Sequence, residues 1–204
     1  MKLGPIDVPT DLVLAPMMDV TTPSFRQLTK NLGGLGLIVT PMVFVQQIAV
    51  APKTVIPHLE LLEQQRPCAI QIVASGRNED YLRKGLDILN SYNFDLLDIN
   101  SGCPATHTVR SGGGGSLLKD YCTESSIERL ENVINWALKY ANQPVSLKTR
   151  LGYEKDTDVL EIAKRAEDLG ICMLTLHGRT VRQNYAGQAN LEMIQKVKSI
   201  LNIP

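Results

Sequence analysis

At 204 residues, 44% hydrophobic and 21% charged, the chain can bury one sizeable core and has the composition of an ordinary globular domain. Its 21 basic and 21 acidic side chains cancel, which excludes a global field that gathers a polyanion and leaves any nucleic-acid binding to a local patch. No apolar run approaches the roughly 18–20 residues that span a bilayer, residues 1–5 carry no signal-peptide stretch, and Cys68, Cys103, Cys122 and Cys172 form neither a CxxC pair nor a metal-ligand spacing. A cytoplasmic protein with free thiols, no membrane association and no metal is expected.

Six short apolar runs alternate with amphipathic stretches. Leu12–Met17 predicts the first strand. Thr22-Pro23 then opens a helix over Ser24–Leu32, with proline tolerated at the first helical position and Gly33-Gly34 as the stop. Leu37–Met42, Cys68–Ala74 and Leu96–Asn100 predict the second, third and fourth strands. Ile127, Leu130, Val133, Ile134 and Ala137 fall at helical spacing in Ile127–Tyr140, and Pro144–Arg150 predicts the fifth strand. Asp158–Leu169 gathers Val159, Ile162, Ala163, Ala166 and Leu169 on one face, stopped by Gly170. Met173–Arg179 predicts the sixth strand and Leu191–Leu201 a closing helix.

Each run is nearly continuous in apolar residues and turns polar or glycine-rich at its carboxyl end. Strands buried on both faces of a parallel sheet read this way, with function at those ends. Six units in 204 residues repeat at about 34 residues, the rhythm of a (β/α) barrel or of an open doubly wound sheet. A closed barrel needs eight units, so a barrel here is incomplete. Asn202-Ile203-Pro204 resembles the approach to a further strand, as Asn142-Gln143-Pro144 does before the fifth.

The sharpest chemical signal is Asp98-Ile99-Asn100-Ser101-Gly102-Cys103-Pro104, followed by Gly112–Leu118. A cysteine just past a buried strand, held between glycine and proline, suits a thiol that must reach a substrate atom repeatedly in one geometry. Cys68, Cys122 and Cys172 read instead as small buried hydrophobes. The glycines after Cys103 form either a flexible loop or a close backbone approach to a ligand. They lack the Gly-Lys-Ser/Thr ending of a phosphate-cradling loop. His107, four residues past Cys103, leaves a Cys–His nucleophile pair open.

Taken in order, Leu14-Ala15-Pro16-Met17 with Val20-Thr21 and Phe25-Arg26, Gln71, Asp98–Pro104, Gly114–Leu118, Lys148–Gly152, His177–Thr180 and Tyr185–Ala189 resemble the tRNA-dihydrouridine synthases. The resemblance covers residues 12 to 190 and implies a parallel (β/α) TIM barrel of which about six of eight units are present. It implies an FMN enzyme that reduces the C5–C6 double bond of selected uridines in tRNA, with NADPH as electron donor; a monomer is expected. Pro16, Met17 and Met18 would lie along the flavin ring, and Gln71 would hydrogen-bond its pyrimidine side. Lys148 would sit near flavin N1 and O2, where a fixed cation stabilises the reduced ring. His177 would contact the ribityl or phosphate side. Cys103 would protonate uracil C5, and as a general acid it must hold its proton until needed. Asn100 would read the uracil edge, and Arg150 and Arg179, with Arg110 and Arg182, would meet phosphates unless paired with Glu154, Asp156 or Asp158.

Two departures stand out. Met18-Asp19 replaces a small pair common in the family, and Ala105-Thr106-His107-Thr108 replaces a segment in which a lysine is common. The family's FMN-phosphate loops after the seventh and eighth strands, and its helical tRNA-binding domain, would lie beyond Pro204. The rivals are an FMN barrel acting on a free pyrimidine, like a dihydroorotate dehydrogenase, and a fragment without catalysis. Tyr185-Ala186-Gly187 after His177–Thr180 favours the tRNA enzymes over the former.

Overall fold

The computed structural model describes residues 2–119 and 124–204, so Cys122 lies outside the described residues. Six parallel strands form one curled sheet in sequence order, a partial (β/α) barrel: β1 (Val13–Leu14), β2 (Leu37–Phe44), β3 (Cys68–Val73), β4 (Leu96–Ser101), β5 (Val145–Arg150) and β6 (Met173–His177). Helices α1 (Pro23–Asn31), α2 (Val45–Val50), α3 (Ile56–Leu59), α4 (Glu79–Leu89), α5 (Thr106–Arg110), α6 (Glu124–Tyr140), α7 (Asp158–Leu169) and α8 (Leu191–Ile200) connect and cover the strands. Ile38, Ile70, Ile72, Leu97, Ile99, Val145 and Leu147 point outward into one core with α4, α6 and α7.

The alternate residues point inward and stack in layers, as barrel interiors do. At the floor, Leu37, Val39, Ala69, Leu96 and Met173 close on Leu3 and Val8, brought there by an antiparallel hairpin of Lys2–Leu3 and Ile6–Asp7. Above this apolar plug the interior becomes polar. Gln71, Asp98 and Ser146 are in register with one another, then Asn100 with Lys148 and Thr175, then Arg150 with His177. This ascent from apolar floor to polar mouth places the chemistry.

Local sequence explains two irregularities. β1 is shorter than expected from Leu12–Met17, because Pro16 has no N–H for a ladder and the chain turns away there. Thr21 fixes that turn: its hydroxyl accepts from Met17 N–H at 3.1 Å and donates to Met17 O at 3.0 Å. Pro41 likewise breaks the β2–β3 register between Val39 and Met42. The neighbouring Thr40 hydroxyl accepts the Gln71 N–H at 3.2 Å and so keeps that buried donor paired.

Strands begin in a recurring way. The carbonyl of the proline before β3 accepts from Ile38 N–H at 3.2 Å, and that of Pro144 before β5 accepts from Leu97 N–H at 3.0 Å. Pro204 does the same toward Leu174 N–H at 3.0 Å, which matches the expectation that Asn202-Ile203-Pro204 approaches the sheet as a strand would. Among the described residues no helix is long and apolar enough to cross a membrane.

Candidate active site

A basin of about 820 Å³ opens at the carboxyl ends of the strands. Pro16, Met17, Met18 and Val20 form one wall, Met42, Gln71 and Asn100 the deep side, and Cys103 to His107 another wall. Lys148, Arg150, His177 and Tyr185 complete it. Cys103, all six residues expected to hold the cofactor, and two of the three expected to meet substrate, Asn100 and Arg150, line this one space; Arg179 does not line it but touches the lining residue His177.

Cys103 sits on a turn locked from three sides. Asn100 Oδ1 accepts from the N–H of Gly102 at 3.1 Å and of Cys103 at 2.9 Å. Gly115 N–H donates to the Cys103 carbonyl at 2.9 Å. A side chain at Gly114 would meet Thr108 Cγ2 at 2.5 Å and the Cys103 carbonyl at 3.1 Å, and that glycine also adopts φ +55°. The glycine run therefore packs against the cysteine turn and is buried, so it forms neither a flexible loop nor a ligand cradle. The half-buried thiol donates weakly to Thr108 Oγ1 at 3.5 Å. His107 turns away, its ring tilted against Phe44 with centroids 5.8 Å apart, so no Cys–His hydrogen bond forms.

Across the basin, Lys148 is half-buried on β5, and among the described residues no hydrogen bond or ion pair holds its ammonium. Desolvation pulls it below the ordinary lysine range, opposed by the nearby Asp98 carboxyl and aided by the Arg150 cation. His177 is held down to about 4, first by burial and then by Arg150, Lys148 and Arg179. It is neutral at pH 7, and its Nε2 lies 3.3 Å from Arg179 Nη1, a donor-only group, which makes Nε2 the acceptor.

The arginines divide. Arg150, 4% exposed, donates through Nη1 to the carbonyls of Thr180 at 3.0 Å and Asn184 at 2.7 Å, and its guanidinium lies over Tyr185 at 5.6 Å. Arg179 donates to Ala186 O at 3.2 Å and Gly187 O at 2.8 Å. Both therefore shape the loop that carries Tyr185. Arg182 pairs with Glu154 at 2.8 Å on the surface, and Arg110 is exposed at the end of α5. Asp156 accepts from Asn190 instead of an arginine.

Pro16 to Met18 present an apolar rim, Met17 38% and Met18 46% exposed, supported from behind. Arg26 is fully buried and donates to Thr21 O at 2.8 Å, to Gln65 Oε1 at 3.2 Å and to the Glu60 carbonyl. The Val20-Thr21 and Phe25-Arg26 part of the resemblance is thus a scaffold for the rim.

Sequence reasoning passed over Asp98, Thr108 and Tyr185 as site residues. Asp98 and Thr108 depend on cross-strand and turn geometry, but Tyr185 stood inside a quoted motif and could have been found. Gln71, expected as a flavin contact, donates to Asp98 Oδ2 at 2.7 Å and accepts from Asn100 Nδ2 at 2.9 Å, leaving one amide hydrogen and one lone pair unassigned.

A sequence profile of the dihydrouridine synthases (Dus) matches residues 13–204. The chain belongs to this family. A probable tRNA-dihydrouridine synthase of Rickettsia bellii (strain RML369-C) is 30% identical over 204 residues, all of this chain and 60% of that protein. tRNA-dihydrouridine synthase B of Pasteurella multocida (strain Pm70) is 32% identical over 206 residues, again all of this chain and 59% of that protein. The chain thus spans about 60% of the length of these relatives. Among solved structures, morphinone reductase in complex with tetrahydroNAD matches with TM-score 0.69 at 9% identity, over 100% of this chain and 77% of that one. A 2,3-dimethylmalate lyase matches with TM-score 0.54 at 12% identity, over 96% and 64%. At such identities the likeness is one of fold.

Proposed function

We propose that the basin binds FMN and that the enzyme, a cytoplasmic monomer, reduces the C5–C6 double bond of a tRNA uridine with electrons from NADPH. The observation that carries this reading is the locked Cys103 turn facing an unpaired, half-buried Lys148 across the basin, within a chain of the dihydrouridine synthase family. The residues fit the cofactor. The volume lies within the roughly 300–1,000 Å³ of small-molecule and cofactor sites. The apolar rim of Pro16, Met17 and Met18 suits a flat ring, and Gln71 has one donor hydrogen left for the ring's polar edge. The Lys148 cation favours a ring carrying added negative charge. His177 and Arg179, together at the end of β6, suit its polar tail.

Bound there and reduced by NADPH, FMN would supply the hydride for uracil C6. Cys103 would give its proton to C5 and regain one from solvent, leaving the 5,6-dihydro ring, oxidised flavin and NADP⁺. The uridine must first leave its stack, and Tyr185, 74% exposed at the mouth, offers an aromatic face beside it. Asn100 and Arg150 line the space that would take the uracil, and Arg179, beside His177, would meet a tRNA phosphate. The test is NADPH oxidation by the complete gene product with unmodified tRNA or with free uracil or orotate added. Oxidation that rises with tRNA alone is expected. Oxidation driven by a free pyrimidine would replace this reading with a pyrimidine dehydrogenase.

A further inference from the structure

Beneath the cysteine turn the interior holds a continuous hydrogen-bond chain with a single direction. The Gly102 and Cys103 N–H groups donate to Asn100 Oδ1 at 3.1 and 2.9 Å. Asn100 Nδ2 donates to Gln71 Oε1 at 2.9 Å, and Gln71 Nε2 donates to Asp98 Oδ2 at 2.7 Å. Ser146 Oγ donates to the other carboxyl oxygen, Oδ1, at 2.6 Å. Four side chains from three neighbouring strands take part, and none is more than 8% exposed, so each depends mainly on its protein partners for its hydrogen bonds.

We propose that Asp98 is a positioning residue for Cys103: as the acceptor at the foot of this chain it fixes the direction of the Gln71 and Asn100 amides, and through them the catalytic turn. An amide has one donor end and one acceptor end, so each member tolerates only one orientation of the next. Were Gln71 turned over, its oxygen would face Asp98 Oδ2 and its nitrogen would face Asn100 Nδ2, two repulsive contacts in place of two bonds. Asn100 cannot turn to relieve them, because its oxygen holds two backbone N–H groups. The important property of Asp98 is therefore an acceptor aimed at Gln71 more than a full negative charge. Desolvation holds its carboxyl above the ordinary carboxylate range, which fits this, since a protonated carboxyl still offers a carbonyl oxygen to Gln71 while its hydroxyl faces Ser146.

The consequence for catalysis rests on the proposed function; the relay itself does not, and its test uses neither flavin nor tRNA. Iodoacetamide labelling of Cys103, followed by mass spectrometry, reports how tightly the turn is held, with Cys68 and Cys172 as internal controls. Burial pushes those thiols up to about 12 and about 11. Asp98→Asn can present Oδ1 to Gln71 and Nδ2 to Ser146, so labelling should stay within about threefold of wild type. Asn100→Asp replaces the amide donor with an acceptor, sets Gln71 against one carboxylate or the other, and should speed labelling by about tenfold or more while lowering the melting temperature. Joining the two substitutions moves the carboxylate to the top of the relay and reverses every amide with all bonds kept. The double variant should therefore regain both slow labelling and stability, a non-additivity of the kind found only between coupled residues. Three results would each overturn the proposal: a double variant no better than Asn100→Asp alone, one that fails to fold, or Asp98→Asn labelling as fast as Asn100→Asp. Slow labelling in the double variant without dihydrouridine formation by the wild type would leave the relay standing and count against the proposed function alone.

Discussion

His177 and Lys148 illustrate what burial among cations does to single side chains. His177 titrates at about 4 in the folded chain against 6.5 for a free histidine. Between those values the unfolded chain takes up a proton that the folded one refuses, so stability is undiminished above 6.5 and is lost as pH falls toward 4. His177→Gln, which keeps an acceptor for Arg179, should flatten the fall in melting temperature over that window. An unchanged slope would mean that other groups carry the acid sensitivity. For Lys148 the expected effect is electrostatic: Lys148→Met should lower the midpoint potential of bound flavin, because a fixed cation favours the reduced, more negative ring. A potential equal to wild type would place the ammonium away from the ring. Cys103, Lys148 and His177 were legible because each follows an apolar run at a strand's carboxyl end. Asp98 was not, because nothing in Leu96–Ser101 says which residues of β3 and β5 lie in register with it.

Among elements, the glycine run after Cys103 is tightly packed against the catalytic turn. A methyl group at Gly115 would lie 2.8 and 2.9 Å from the two Val181 methyls and 3.0 Å from the Cys103 carbonyl. Gly115→Ala should destabilise the chain by roughly 1–3 kcal/mol, the usual range for overpacking, and reduce activity beyond that loss by displacing the turn. Wild-type melting and turnover would show that the turn has slack. The sequence disclosed α7 in full, because an amphipathic stripe and a left-handed Gly170 at φ 109° mark its face and its end. It concealed α2, whose Val45-Gln46-Gln47-Ile48-Ala49-Val50 continues the apolar run of β2 without a capping side chain. The inward layers were likewise hidden. The runs read as nearly continuous apolar stretches that turn polar at their carboxyl ends, yet Gln71, Asp98 and Ser146 already face inward in mid-strand, in a layer that only the sheet register reveals.

For the whole molecule, the strand-helix rhythm was compatible with a barrel or an open sheet, and the curl of the six strands around one polar interior decides for the barrel. β1 and β6 do not pair with each other, so the layers stay open on that side of the basin. With a formal net charge of +0, no overall field draws RNA to the surface. The cations that matter are local: Lys148 and Arg150 line the same basin as Cys103, and Arg179 stands beside them against His177. Flavin-dependent reduction in this basin with Cys103 as the acid can be measured as dihydrouridine formation in unmodified tRNA, followed by mass spectrometry for the complete gene product and its Cys103→Ala variant, with flavin reduction by NADPH followed in parallel. The variant should bind and reduce flavin as wild type does while dihydrouridine formation falls by about 10²–10⁴-fold, the usual contribution of acid catalysis. Undiminished dihydrouridine formation by Cys103→Ala would contradict this role of Cys103.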